Sequence, residues 1–99
     1  MVSNKALAKS WLEDVLPSEV FRCHDGRVAK NLDELAASLR EMSPQTYRYH
    51  VSRGRNDFGL WVRGIIGDVT LSRELEKATT PATAASMVET RVSRLRKGT

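Results

Sequence analysis

Between Asn56 and Ile66 the chain reads NDFGLWVRGII, a helix-length run in which Phe58, Leu60, Trp61, Val62, Ile65 and Ile66 leave little room for a polar face. A short helix that is apolar nearly all round belongs at the centre of a fold. The chain has 99 residues, enough for one domain with one core, so every other amphipathic element has to be arranged around that run. We therefore read residues 1–99 as a single domain.

Punctuation on either side of the run supplies the other elements. Leu7, Ala8, Trp11, Leu12, Val15 and Leu16 recur at helical spacing, which predicts a first helix over 4–16, capped by Ser3 and stopped by Pro17. Val20–Cys23 and Arg27–Ala29 flank His24-Asp25-Gly26, and Asp-Gly between two short, partly alternating runs predicts a β-hairpin. Asn31 caps the next helix, with Glu34 placed as the reciprocal partner of a capping box and Leu32, Leu35, Ala36, Leu39 and Met42 as its core face. Ser43-Pro44 opens a helix expected to run to Ser52 and end at Gly54, with Tyr47, His50 and Val51 clustered along it. Asn56 caps the apolar run, Gly67-Asp68 breaks it and recaps a helix through Leu71 and Leu75, and Thr80-Pro81 opens a last helix over 81–97. The sum is a mostly α bundle of about five helices with a short β-hairpin after the first.

Composition narrows the class. The apolar fraction of 40% against 28% charged residues is that of a chain that folds, not of a disordered one. No run approaches the length of a membrane span, and charges interrupt VSNKALAKSWLEDVL where a signal peptide needs an apolar core, so the expected address is cytoplasmic with no membrane contact. Cys23 is the one cysteine, which rules out an intrachain disulfide and fits a reducing compartment. With two histidines besides, and Cys23 and His24 on opposite faces of an extended segment, no structural zinc site is expected, and no cofactor is implied.

The formal charge of +4 is concentrated in two places. Residues 46–63 carry Arg48, Arg53, Arg55 and Arg63 against Asp57, and residues 79–99 carry Arg91, Arg94, Arg96 and Lys97 against Glu89, each a net +3. Clustered cations attract nucleic acid or an acidic partner, whereas a solvated face needs no ligand at all. For the second cluster a further account is at hand, because cations in the last turns of a helix complement its dipole.

Phe21 before Asp25-Gly26, the Asn31-Leu32 helix start, the His50-Val51 pair and Asn56-Asp57-Phe58 with Trp61 together resemble a small uncharacterised prokaryotic domain found in archaea and bacteria. The resemblance spans about residues 20–78 and leaves the helices at 4–16 and 81–97 as flanks. It implies one domain and carries no activity to transfer.

Three functional readings follow. Catalysis would cast His50 as general base oriented by Asp57, but no nucleophile sits at a usable position, and no Gly-x-Ser-x-Gly, phosphate-cradling loop or paired carboxylates appear; the chain is not expected to be an enzyme. Nucleic-acid binding without sequence reading would use Arg48, His50, Arg53, Arg55 and Arg63, with Arg94, Arg96 and Lys97 as a second patch. The helices at 57–66 and 68–78 pass superficially for a helix-turn-helix, yet Glu74 and Glu76 sit where a recognition helix needs cations. The leading expectation is a non-catalytic binding module acting through a protein partner or self-association, with Trp11 on the first helix as a docking residue.

Overall fold

The computed structural model describes residues 4–98. Among them the chain forms six α-helices: α1 (Asn4–Leu12), α2 (Leu32–Glu41), α3 (Pro44–His50), α4 (Asp57–Trp61), α5 (Val69–Leu75) and α6 (Pro81–Lys97). Two small antiparallel hairpins complete it, β1 (Phe21–Arg22) with β2 (Val28–Ala29), and β3 (Val51–Ser52) with β4 (Arg55–Asn56). The mostly α architecture with a hairpin after the first helix is as the sequence predicts. The second hairpin is not.

Five helices start where a side chain can satisfy an orphan amide. Asn31, Ser43, Asn56, Asp68 and Thr80 each accept a hydrogen bond from the backbone N–H three residues on. Glu34 Oε1 reaches back to accept from the N–H of Lys30, one residue before the cap, at 3.0 Å. Ser3, the predicted cap of α1, lies outside the described residues. At its other end α1 stops at Leu12 and not Leu16, because residues 13–16 run on extended and the Val15 N–H donates to the Lys30 carbonyl at 2.8 Å.

The long helix α6 lies along α2, and ion pairs at both ends fix the two as antiparallel: Arg40 with Glu89, and Arg96 with Asp33. Leu32, Leu35 and Leu39 of α2 meet Ala84, Ala85, Val88, Val92 and Leu95 of α6 in the core. Burying a leucine of this kind stabilises by roughly 1.5–3 kcal/mol relative to exposure, so this pair of helices is the main prop of the fold. Helix α1 packs on α6, as does α5. Both terminal helices therefore close the core.

The apolar run behaves differently from expectation. It is α-helical only to Trp61, and Val62–Ile66 form a π-helical turn in which the Gly67 N–H donates to the Val62 carbonyl five residues back at 2.8 Å. Phe58, Trp61, Val62 and Ile66 are buried as predicted, but Leu60 is 56% exposed and Ile65 38% exposed. The run thus has an outward face after all. Gly67 follows with φ +98° and ends the segment in a left-handed conformation that a side chain would strain.

Asp68 is the most deeply buried charge, with no exposed surface. Its Oδ1 accepts from the Leu71 N–H at 3.2 Å as the cap of α5, and both oxygens accept from Arg91 of α6, Oδ2 from Nε at 2.7 Å and Oδ1 from Nη2 at 3.0 Å. Arg91 also lies over the Trp11 ring, 5.6 Å from its centroid. One carboxylate therefore ties α5 to α6, and its partner cation ties both to α1.

Candidate functional site

Two of the four arginines of the first cationic cluster, Arg53 and Arg55, lie on the second hairpin. Val51 pairs with Asn56 and Ser52 with Arg55, which leaves Arg53-Gly54 as a two-residue loop, with φ of +52° and +77°. Positive angles at both central positions are the requirement of a type I′ turn. Glycine meets it freely, but arginine is an unusual occupant of its position, held there at a cost of about 1 kcal/mol. Replacing Arg53 by Asn, which tolerates this conformation, is expected to raise the midpoint of thermal unfolding while removing one cation from the tip; circular dichroism melts of the two proteins check it.

Beneath the hairpin lies a knot of hydrogen bonds. His50 is buried, with Nε2 accepting from the His24 N–H at 3.0 Å and Nδ1 3.0 Å from Asp57 Oδ2. The backbone donor at Nε2 places the ring proton on Nδ1, so His50 donates to Asp57. Asp57 Oδ1 in turn accepts from Arg55 Nε at 2.7 Å. The sequence placed His50 and Asp57 together, and the structure joins them; it also shows both ring nitrogens in use. His50 packs against Phe21 and Phe58, with ring centroids at 5.3 and 5.2 Å, and so joins the first hairpin to α4. Substituting His50 by Ala is expected to cost about 3 kcal/mol in denaturant unfolding through the lost ring packing and an orphaned His24 amide.

Two adjoining recesses open beside the second hairpin. One, of about 240 Å³, is lined by Gly54, Arg55, Asn56, Gly59, Leu60, Arg63, Ser72 and Glu76. The other, of about 400 Å³, is bordered by residues 51–56 and Glu76, and shares Gly54, Arg55, Asn56 and Glu76 with the first. Together they make one groove between the hairpin, α4 and α5. Its floor is stiff: Asn56 Nδ2 donates to the Leu75 carbonyl at 3.0 Å and Ser72 Oγ to the Gly59 carbonyl at 2.9 Å.

Arg53, Arg55 and Arg63 line this groove, with Glu76 as the one acid among its lining residues. Arg53 and Arg63 have no ion-pair partner among the described residues, and Arg55 spends Nε on Asp57, so that its two Nη groups remain for a ligand. Arg48 is exposed on α3 and does not line the groove. Next to it in sequence, Tyr49 is exposed and stacks on His24 at 3.8 Å between centroids.

The second cluster lies elsewhere. Arg91 is level with Asp68 at the start of α5, and Arg94, Arg96 and Lys97 lie beyond it toward the start of α2, where Arg96 pairs with Asp33. Ser72 and Glu76 of the groove lie in the opposite direction along α5. The two clusters are separate surfaces.

Trp11 is half-buried and turned toward Gly67 and Arg91. Cys23 is buried, and burial pushes its thiol up, away from the thiolate a nucleophile needs. Among the described residues no three His, Cys, Asp or Glu side chains gather as metal ligands would, and no helix is long and apolar enough to cross a membrane. Nothing in the sequence pattern points to the outward Leu60, or to Ser72 and Glu76 as walls of the site. No protein-family model matches the chain, and comparison with curated proteins and with solved structures finds no match.

Proposed function

We propose that this chain is a small, non-catalytic, cytoplasmic binding module that takes an acidic segment of a protein partner in the groove beside its second hairpin. The carrying observation is the gathering of Arg53, Arg55 and Arg63 with the exposed Leu60 along the groove made by the two adjoining recesses. Cations favour carboxylates, Leu60 favours an apolar side chain between them, and Glu76 discriminates against a uniformly anionic ligand. A non-catalytic role is supported by His50, whose two nitrogens are both engaged in holding the fold. Kinship with the prokaryotic domain it resembles is part of this reading.

A second reading is backbone contact with nucleic acid. It is favoured by Arg48 and Arg53, which carry no ion pair among the described residues, and by the exposed Tyr49–His24 stack, which offers a base a face to stack on. Against it, the two cationic clusters form no common footprint. Fluorescence anisotropy separates the two, using a labelled peptide of alternating Glu and Leu, a duplex DNA and a single-stranded RNA across a salt series. The protein-binding reading expects the peptide to bind and the nucleic acids to bind weakly or not at all. Tight nucleic-acid binding that falls steeply with salt, with no peptide binding, would replace it.

A further inference from the structure

Among the described residues the most exposed large apolar side chain is Leu16, at 64%, and it lies outside the groove. It sits in the extended segment between α1 and β1, three residues after Glu13 and three before Glu19. Neither glutamate carries an ion pair among the described residues, while Asp14 between them is held by Asn31 and, more loosely, by Lys30. The segment is fixed in place. Val15 is tied to Lys30, Pro17–Glu19 form a single tight turn, and the Glu19 carbonyl accepts from Trp61 Nε1 at 2.8 Å.

This strip is the counterpart of the groove. It presents an exposed leucine between two carboxylates without an ion pair among the described residues, and the groove presents an exposed leucine among Arg53 and Arg63, which likewise have none, and Arg55, whose Nη groups remain open beside its bond to Asp57. The Trp61–Glu19 bond also sets the strip against α4, the helix whose Leu60 lines the groove. Two complementary patches on one molecule allow self-complementary pairing, which a two-fold axis closes with each strip in the other's groove.

We propose that the occupant of the groove is the 13–19 segment of a second copy of this chain, forming a two-fold, salt-sensitive homodimer. This rests on the groove reading above and names its ligand. The surfaces involved are small beside the roughly 1,600 Å² of a standard interface, so the pairing is a weak and reversible one. Charge steers it and Leu16 against Leu60 anchors it.

The test uses two charge-reversed full-length chains, E13R/E19R and R53E/R63E, with circular dichroism to confirm that each folds. Sedimentation velocity of the unaltered 11.1 kDa chain is expected to show a concentration-dependent shift toward dimer at low salt that is lost at high salt. Each reversed chain alone faces like charge with like and is expected to pair at least tenfold more weakly. Mixed one to one, their strips and grooves are again opposite in sign at both contacts, and a heterodimer is expected. A chain that stays monomeric at every concentration, or a mixture that fails to pair, overturns the proposal. Should a reversed chain not fold, L16K and L60K serve in its place, each expected to abolish pairing, and pairing unchanged in both would also overturn it. A labelled EDVLPSE peptide separates the two levels of the account. Peptide bound by a chain that remains monomeric overturns the dimer alone; no peptide bound and no heterodimer overturns the groove as well.

Discussion

Replacing Asp68 by Ala is expected to be the most damaging single substitution among the polar residues, costing about 4 kcal/mol in denaturant unfolding. The carboxylate is fully buried, and its removal leaves the Arg91 guanidinium, itself largely buried, with neither of its two charge-assisted bonds. The cap on α5 goes with it, adding about 1 kcal/mol. Domains of this size hold roughly 5–15 kcal/mol in total, so the variant stands near the edge of folding, its thermal midpoint lower by about 20 °C or more. Asp68→Asn should fall between the two, because its carbonyl oxygen keeps the Leu71 amide while the charge of Arg91 loses its partner. A loss below about 1 kcal/mol for Asp68→Ala would show that water reaches the site and that the pair is not the tie between α5 and α6 described above.

Reversing the groove is the second large effect. The R53E/R63E chain is expected to lose binding of an acidic peptide by at least about 100-fold, since two attractive contacts become repulsive ones, each worth about 1.4 kcal/mol or more. Among the described residues neither arginine makes an ion pair, and both are exposed, so the unfolding midpoint should move little. The matching control is R94E/K97E at the far end of α6, which removes as much positive charge from the other cluster. Long-range attraction is screened beyond about 8–10 Å at physiological salt, and this control is expected to change affinity by less than about threefold. Equal losses in the two variants would make net charge, and not the groove, the determinant.

Much of the helical frame was legible because it is written in local chemistry. Asn31, Ser43, Asn56, Asp68 and Thr80 cap the helices they precede, and each does so through an amide three residues away. Such contacts depend little on the rest of the molecule. The second hairpin was illegible for the complementary reason: its strands are two residues each, too short to show alternation, and arginine at a left-handed turn position is not a residue that announces one. Helical spacing through Tyr47, His50 and Val51 carried the expected helix two residues too far.

The π-helical turn after Trp61 and the outward Leu60 depend on how α4 meets α5 and the first hairpin, which no periodicity encodes. The candidate site divides the same way. Arg53, Arg55 and Arg63 were visible as a cluster in sequence, and His50 beside Asp57 was visible as a pair. Their partners across the groove, Ser72 and Glu76, arrive from about twenty residues further on through the Asn56–Leu75 and Ser72–Gly59 bonds, and long-range register of that kind is set by tertiary packing.

The groove between the second hairpin, α4 and α5 is proposed as the binding face of the molecule. Backbone amide chemical shifts of the isotope-labelled chain, followed while an unlabelled peptide of alternating Glu and Leu is added at low salt, test it most directly. Shifts confined to residues 51–56, Gly59, Leu60, Arg63, Ser72 and Glu76 are expected, with Arg94, Arg96 and Lys97 unmoved. Shifts centred on the end of α6, or spread evenly over every exposed cation, would contradict it.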